Sequence, residues 1–130
     1  LPVLGKDSLT LIDRIVARLG SEPAAIFLET PTNPELQPHD FAALMRSLRA
    51  HEQKTKQRVP VIVDTTLAPL FPLFSHEWAK GWPFLLVKSG SKYFTKGKST
   101  LGVVAWATDS GTVVVIALHL FQSLTCPGQR

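Results

Sequence analysis

Apolar residues recur at near-helical spacing from Leu9 through Leu11, Ile12, Ile15 and Val16 to Leu19, with Ser8 before them and Gly20 after. That pattern predicts a helix capped by a hydroxyl and stopped by a glycine. The unbroken run Ala24-Ala25-Ile26-Phe27-Leu28 predicts a strand. It enters Glu29-Thr30-Pro31-Thr32-Asn33-Pro34, where two prolines hold the chain as loop. Phe41, Leu44, Met45 and Leu48 mark one face of a second helix, capped by Asp40, with Arg46, Arg49 and Glu52 outside. Val59-Pro60-Val61-Ile62-Val63 predicts a buried strand ending at Asp64. A short helix is expected over 75–80, then a strand Phe84-Leu85-Leu86-Val87 ending at Lys88-Ser89. Residues 101–107 are β-like and Asp109-Ser110-Gly111 is a turn signal. Residues 113–121 suit a strand or a helix, and periodicity does not decide between them.

Strands thus alternate with helices, and the strands are continuous apolar runs. This predicts an α/β protein with a mostly parallel sheet covered on both faces, a three-layer α/β/α arrangement. Ligands of such sheets collect at the carboxyl ends of the strands. The loops leaving those ends are 29–34, 64–69 and 89–102.

The chain has 130 residues, 45% of them hydrophobic, and a formal net charge of +4. That is enough for one domain with a core. Lysines and Arg58 within 54–58 read as a solvated loop, and a second basic patch spans 88–98. No nucleic-acid motif accompanies the charge, so no nucleic-acid partner is expected. The one cysteine, Cys126, excludes an internal disulfide, and the four scattered histidines lack metal-ligand spacing; each reads as a surface or interface residue. The opening lacks a signal peptide's pattern, and the apolar run 113–121 is too short to span a bilayer. A soluble, cytoplasmic setting without a membrane partner is expected. The chain does not begin with methionine, and it reads as a piece of a longer protein.

Three loops carry the candidate chemistry. In Ser89-Gly90-Ser91-Lys92-Tyr93 two hydroxyls flank a glycine at a strand end, which suits a phosphate. A lysine beside them can bond an aldehyde once it loses its proton. A phosphorylated aldehyde meets both demands, and pyridoxal phosphate is the common one. Asp64 closes a buried-type strand, where a carboxylate is costly without a partner; a protonated pyridine nitrogen is such a partner. Asn33, between prolines, can present its amide to a ring hydroxyl. Each feature alone also has a plain structural explanation: a serine-rich loop, a helix-capping acid, an asparagine turn.

Taken together, Glu-Thr-Pro-Thr-Asn-Pro at 29–34, Asp-Thr-Thr at 64–66 and Ser-Gly-Ser-Lys-Tyr at 89–93 resemble the transsulfuration group of pyridoxal-phosphate enzymes of cysteine and methionine metabolism, cystathionine γ-synthase and γ-lyase among them. Members carry Ser/Thr-Pro-Thr-Asn-Pro, Asp-Asn-Thr and Ser-Ala-Thr-Lys-Tyr in that order, each after a strand. The resemblance runs from the first helix through Ala107. It implies an aspartate aminotransferase-like fold, with residues 1–130 forming part of the large cofactor-binding domain, and with an N-terminal part and a small C-terminal domain absent. It implies that Lys92 forms the Schiff base, Asp64 pairs with the pyridinium nitrogen, Ser89 and Ser91 bind the phosphate, Asn33 bonds the ring hydroxyl and Thr66 lines the ring pocket. Tyr93 would pack and Glu29 would support its loop. The implied activity is elimination or replacement at the β- or γ-carbon of a sulfur amino acid or activated homoserine, in a homo-oligomer, a tetramer.

The chain departs from the group at Gly97-Lys98-Ser99-Thr100, where many members have Gly-His-Ser-Asp, and at Thr65, where they have asparagine. Residues after Asp109 fit the group poorly. A nucleotide-hydrolase phosphate loop is rejected, because Lys92 stands where its first glycine is needed and a strand follows in place of a helix. The alternative is a catalytically inactive, truncated relative. Unpartnered sheet edges would make such a chain self-associate.

Overall fold

The structure is a computed structural model, and it describes residues 14–16, 18–19, 24–91, 100–108 and 111–120. Five strands form one sheet in the order β1-β2-β3-β4-β5: β1 Ile26–Glu29, β2 Val61–Asp64, β3 Phe84–Ser89, β4 Thr100–Ala107 and β5 Val113–Leu120. The first three run parallel, and β4 and β5 are antiparallel to their neighbours. One helix of 15 residues, α1 Phe41–Thr55, joins β1 to β2. Of the predicted first helix 14–16 are helical and Arg18 and Leu19 follow as a turn; the rest lies outside the described residues, as do Asp109 and Ser110 of the turn.

Helix α1 forms where the sequence predicts it. Asp40 accepts a hydrogen bond from the Ala43 N–H at 2.9 Å, so one orphan donor of the first turn is satisfied. Phe41, Leu44, Met45 and Leu48 are all buried, because their spacing lays them along one face. Lys56 ends the helix in the left-handed region, its N–H bonding the Glu52 carbonyl.

That face packs on one side of the sheet. Alternation along each strand sends Ile26, Val61, Val63, Phe84, Leu86 and Ala105 inward, all buried. Trp82 seals the amino end of the sheet, its indole N–H bonding the Val59 carbonyl at 3.0 Å. Arg49 and Arg58 lie 5.5 and 5.3 Å from the centre of its ring, close enough for cation–π attraction. Arg58 also bonds Glu52 and the Gly81 carbonyl. The basic stretch is therefore anchored, not simply solvated: Lys54 and Thr55 belong to α1, and Arg58 braces Trp82.

Three other expectations change. The predicted helix over 75–80 is two 3-10 turns, Leu73–Ser75 and Glu77–Ala79, because His76 between them is extended. His39 and His76 are half-buried in a ring cluster with Phe41, Phe71 and Trp78, so they are not plain surface residues. The sheet, finally, is covered on one face only by the described residues. Cross-strand partners place Phe27, Ile62, Leu85, Trp106 and Val114 in one row of the other face, and Phe27 is 61% exposed. A second helical layer is not among the described residues.

Candidate functional site

The open face ends, at the carboxyl edge of the parallel strands, in polar residues. Glu29 pairs in register with Asp64, and Asp64 with Val87, so both acids stand on the open face. Two residues beyond Val87, Ser89 stands there as well. Its partner on β4 is Gly102, and among the described residues nothing lies within 4 Å of where a side chain on Gly102 would begin. The sheet therefore presents an acid and a hydroxyl beside clear space.

A run of hydrogen bonds ties these residues together. The Thr66 N–H donates to Asp64 Oδ1 at 2.8 Å. The Ser89 N–H donates to Thr66 Oγ1 at 2.8 Å. The Ser91 N–H donates to Ser89 Oγ at 3.3 Å, and the Leu101 N–H to Ser91 Oγ at 3.4 Å. Each of the three hydroxyls accepts from the backbone. The half-buried Asp64 carboxylate has one oxygen oriented by the backbone.

Glycine is required between the serines by a close approach. A methyl group on Gly90 would stand 2.5 Å from Leu101 Cδ2 and 2.9 Å from Leu101 Cβ, while the Gly90 N–H bonds the Leu101 carbonyl at 2.7 Å. Strand β4 thus fixes the serine turn from one side. Lys88 fixes the next loop from the covered side, its ammonium donating to the Pro69 carbonyl at 2.8 Å.

Asp64, Thr66, Ser89 and Ser91 are brought together. Asn33 is exposed in the turn after β1, and no hydrogen bond among the described residues joins it to the other four. Its loop is closed by Thr32, whose backbone and hydroxyl bond Gln37. His39 bonds the Glu29 carbonyl, so the support expected of Glu29 falls on its backbone. The peptide bonds Thr30-Pro31 and Asn33-Pro34 are cis. Lys92 and Tyr93 lie outside the described residues. Sequence reading missed the parts of Thr66 Oγ1, Leu101 and His39. Only Thr66, two residues after a strand-end acid, carried a usable signal.

The donor set fits a phosphorylated pyridine: hydroxyls for the phosphate and an oriented carboxylate for a ring nitrogen. Two hollows, of about 500 and 580 Å³, lie elsewhere, by Trp82 and beside α1, and neither is lined by Asp64, Thr66, Ser89 or Ser91. Among the described residues no group of three potential metal ligands occurs, and no helix is long and apolar enough to cross a membrane.

No curated protein matches the chain significantly. The family model of the Cys/Met metabolism PLP-dependent enzymes does match it, over residues 7–123. That is most of the chain, so the chain belongs to this family, whose cofactor is pyridoxal 5′-phosphate.

Proposed function

We propose, from membership of the Cys/Met metabolism PLP-dependent enzyme family, that the chain forms the cofactor-holding part of a transsulfuration enzyme of the cystathionine γ-synthase or γ-lyase type. The reaction is elimination or replacement at the β- or γ-carbon of a sulfur amino acid or activated homoserine. Methionine biosynthesis, a cytoplasmic setting and a tetramer of the full-length protein belong to the same reading. The observation that carries it is the hydrogen-bonded run from Asp64 through Thr66 to Ser89 and Ser91.

When bound, pyridoxal phosphate supplies an electron-withdrawing ring that accepts the electron pair left at the substrate α-carbon. The chain supplies the rest. Asp64, oriented by the Thr66 N–H, would keep the ring nitrogen protonated, since an adjacent carboxylate favours the cationic form. Ser89 and Ser91 would donate their hydroxyl protons to phosphate oxygens. Asn33 would bond the ring hydroxyl, and Thr66 would flank the ring. Lys92 would bond the aldehyde and, displaced by substrate, move the proton at the α-carbon as a neutral amine.

Borohydride reduction of the chain with pyridoxal phosphate, followed by peptide mapping, tests the assignment. The expected product is a single label on Lys92. Label on Lys88 or another lysine would overturn it. A chain that takes the label yet turns over no sulfur amino acid would instead favour the inactive relative. The sheet face left uncovered by the described residues, with Phe27 61% exposed, gives that second reading its support.

A further inference from the structure

We propose that Thr66 is a positioning residue for the phosphate end of the site, its hydroxyl fixing the Ser89 backbone at a set place relative to Asp64. The inference rests on the cofactor reading above and adds to it. There Thr66 only flanks the ring; here its side chain acts through Ser89.

Thr66 is 5% exposed and reaches in two directions. Its backbone N–H holds Asp64 Oδ1, and its Oγ1 accepts the Ser89 N–H, both at 2.8 Å. The parallel ladder between β2 and β3 runs on to the bond from the Thr65 N–H to the Val87 carbonyl, at 2.9 Å. In a regular ladder the next rung would take the Ser89 N–H to the Thr65 carbonyl. Thr66 Oγ1 takes that N–H instead. The ladder is thereby extended by a side chain, and the rung it adds begins the serine turn. Ser89 Oγ in turn holds the Ser91 N–H, so displacement of Ser89 moves both hydroxyls. The two contacts of Thr66 separate cleanly: the one to Asp64 belongs to the backbone and survives substitution, while the one to Ser89 belongs to the side chain.

The separation sets the test. The wild-type chain, Thr66→Val and Thr66→Ser are titrated with pyridoxal phosphate and with pyridoxal, which lacks the phosphate. Thr66→Val leaves the Ser89 N–H unsatisfied and is expected to weaken pyridoxal phosphate about tenfold, with pyridoxal hardly changed. Thr66→Ser restores the preference. Amide hydrogen exchange of Ser89, read without cofactor, quickens in the valine variant and not in the serine variant. Equal weakening of both compounds would place the action of Thr66 at the ring and overturn the inference. So would an unchanged preference in Thr66→Val, or a serine variant as poor as the valine one. If the wild type takes up neither compound, the proposed function falls and this inference with it. If the wild type prefers the phosphorylated compound and Thr66→Val keeps that preference undiminished, only this inference falls.

Discussion

The parallel and antiparallel halves of the sheet are built from equally apolar strands, yet they do different work. In the parallel half, β1 and β2 have four residues each and β3 has six. Ile26, Val61, Val63, Phe84 and Leu86 are buried on the side of α1, Val61 and Val63 completely so, and all three strands end in the polar loops of the site. In the antiparallel half, β4 and β5 have eight residues each. No candidate site residue falls on them, and Val113, Val115 and Ile116 of β5 are 45 to 61% exposed. Parallel strands bring their carboxyl ends, and the loops that leave them, to one edge, so residues far apart in sequence converge there. An antiparallel hairpin brings no such ends together. It contributes here as a wall: Leu101 presses on Gly90, and its N–H reaches Ser91.

The sharpest way to break this comparison is to truncate an apolar side chain in each half to alanine. Leu48 on α1 is 1% exposed in the core over β1–β3. Leu48→Ala is expected to cost about 3 kcal/mol of unfolding free energy, through lost transfer energy and a cavity. Val115 of β5 is 61% exposed, and Val115→Ala should change stability by less than about 0.5 kcal/mol. Urea unfolding of both variants measures the difference. A large loss at Val115 would mean that β5 is covered by a second copy or by further chain.

A smaller effect tests the seam where the halves meet. Gly90→Ala forces a methyl group against Leu101, and overpacking of this kind costs roughly 1–3 kcal/mol. Leu101→Ala should remove part of that penalty, because it takes away Cδ2 and Cγ and leaves Cβ, 2.9 Å from the new methyl group. A double-mutant cycle in urea gives the coupling, expected to be favourable by more than about 0.5 kcal/mol. A coupling of zero would show that Gly90 and Leu101 do not meet.

The halves also differed in how far the sequence foretold them. Helix α1 was legible because Asp40 and the positions 41, 44, 45 and 48 all point to the same element. Strands β1–β3 were legible as apolar runs ending in Asp64 and Ser89. The direction of β4 was not drawn from its composition, which suits either pairing. Connection length held the signal: ten residues separate Ser89 from Thr100 and five separate Ala107 from Val113, too few for a crossover helix. At the site, strand-end placement made Asp64, Ser89 and Ser91 legible. The hydroxyl of Thr66 was not, because the N–H it accepts depends on the register of the neighbouring strand. The face left open by the described residues was hidden for a related reason. An apolar run records that a strand is to be buried on both sides, and it is silent on what will cover it.

The finest test lies inside the parallel half, between neighbours of opposite fate. Thr65 and Thr66 follow Asp64 in succession, and both are buried. Thr66 Oγ1 accepts a hydrogen bond, whereas Thr65 Oγ1 is buried with no hydrogen-bond partner among the described residues. A buried hydroxyl without a partner is a net cost, and replacing it by a methyl group of similar size removes the desolvation penalty. Thr65→Val is therefore expected to stabilise the chain by about 1 kcal/mol, roughly a 4 °C rise in melting temperature. Thr66→Val should move the other way, because it strands the Ser89 N–H. Thermal melts of the two single variants under one condition decide the matter. Should both valines destabilise alike, the Thr65 hydroxyl has a partner too, and the division of labour between the two threonines disappears.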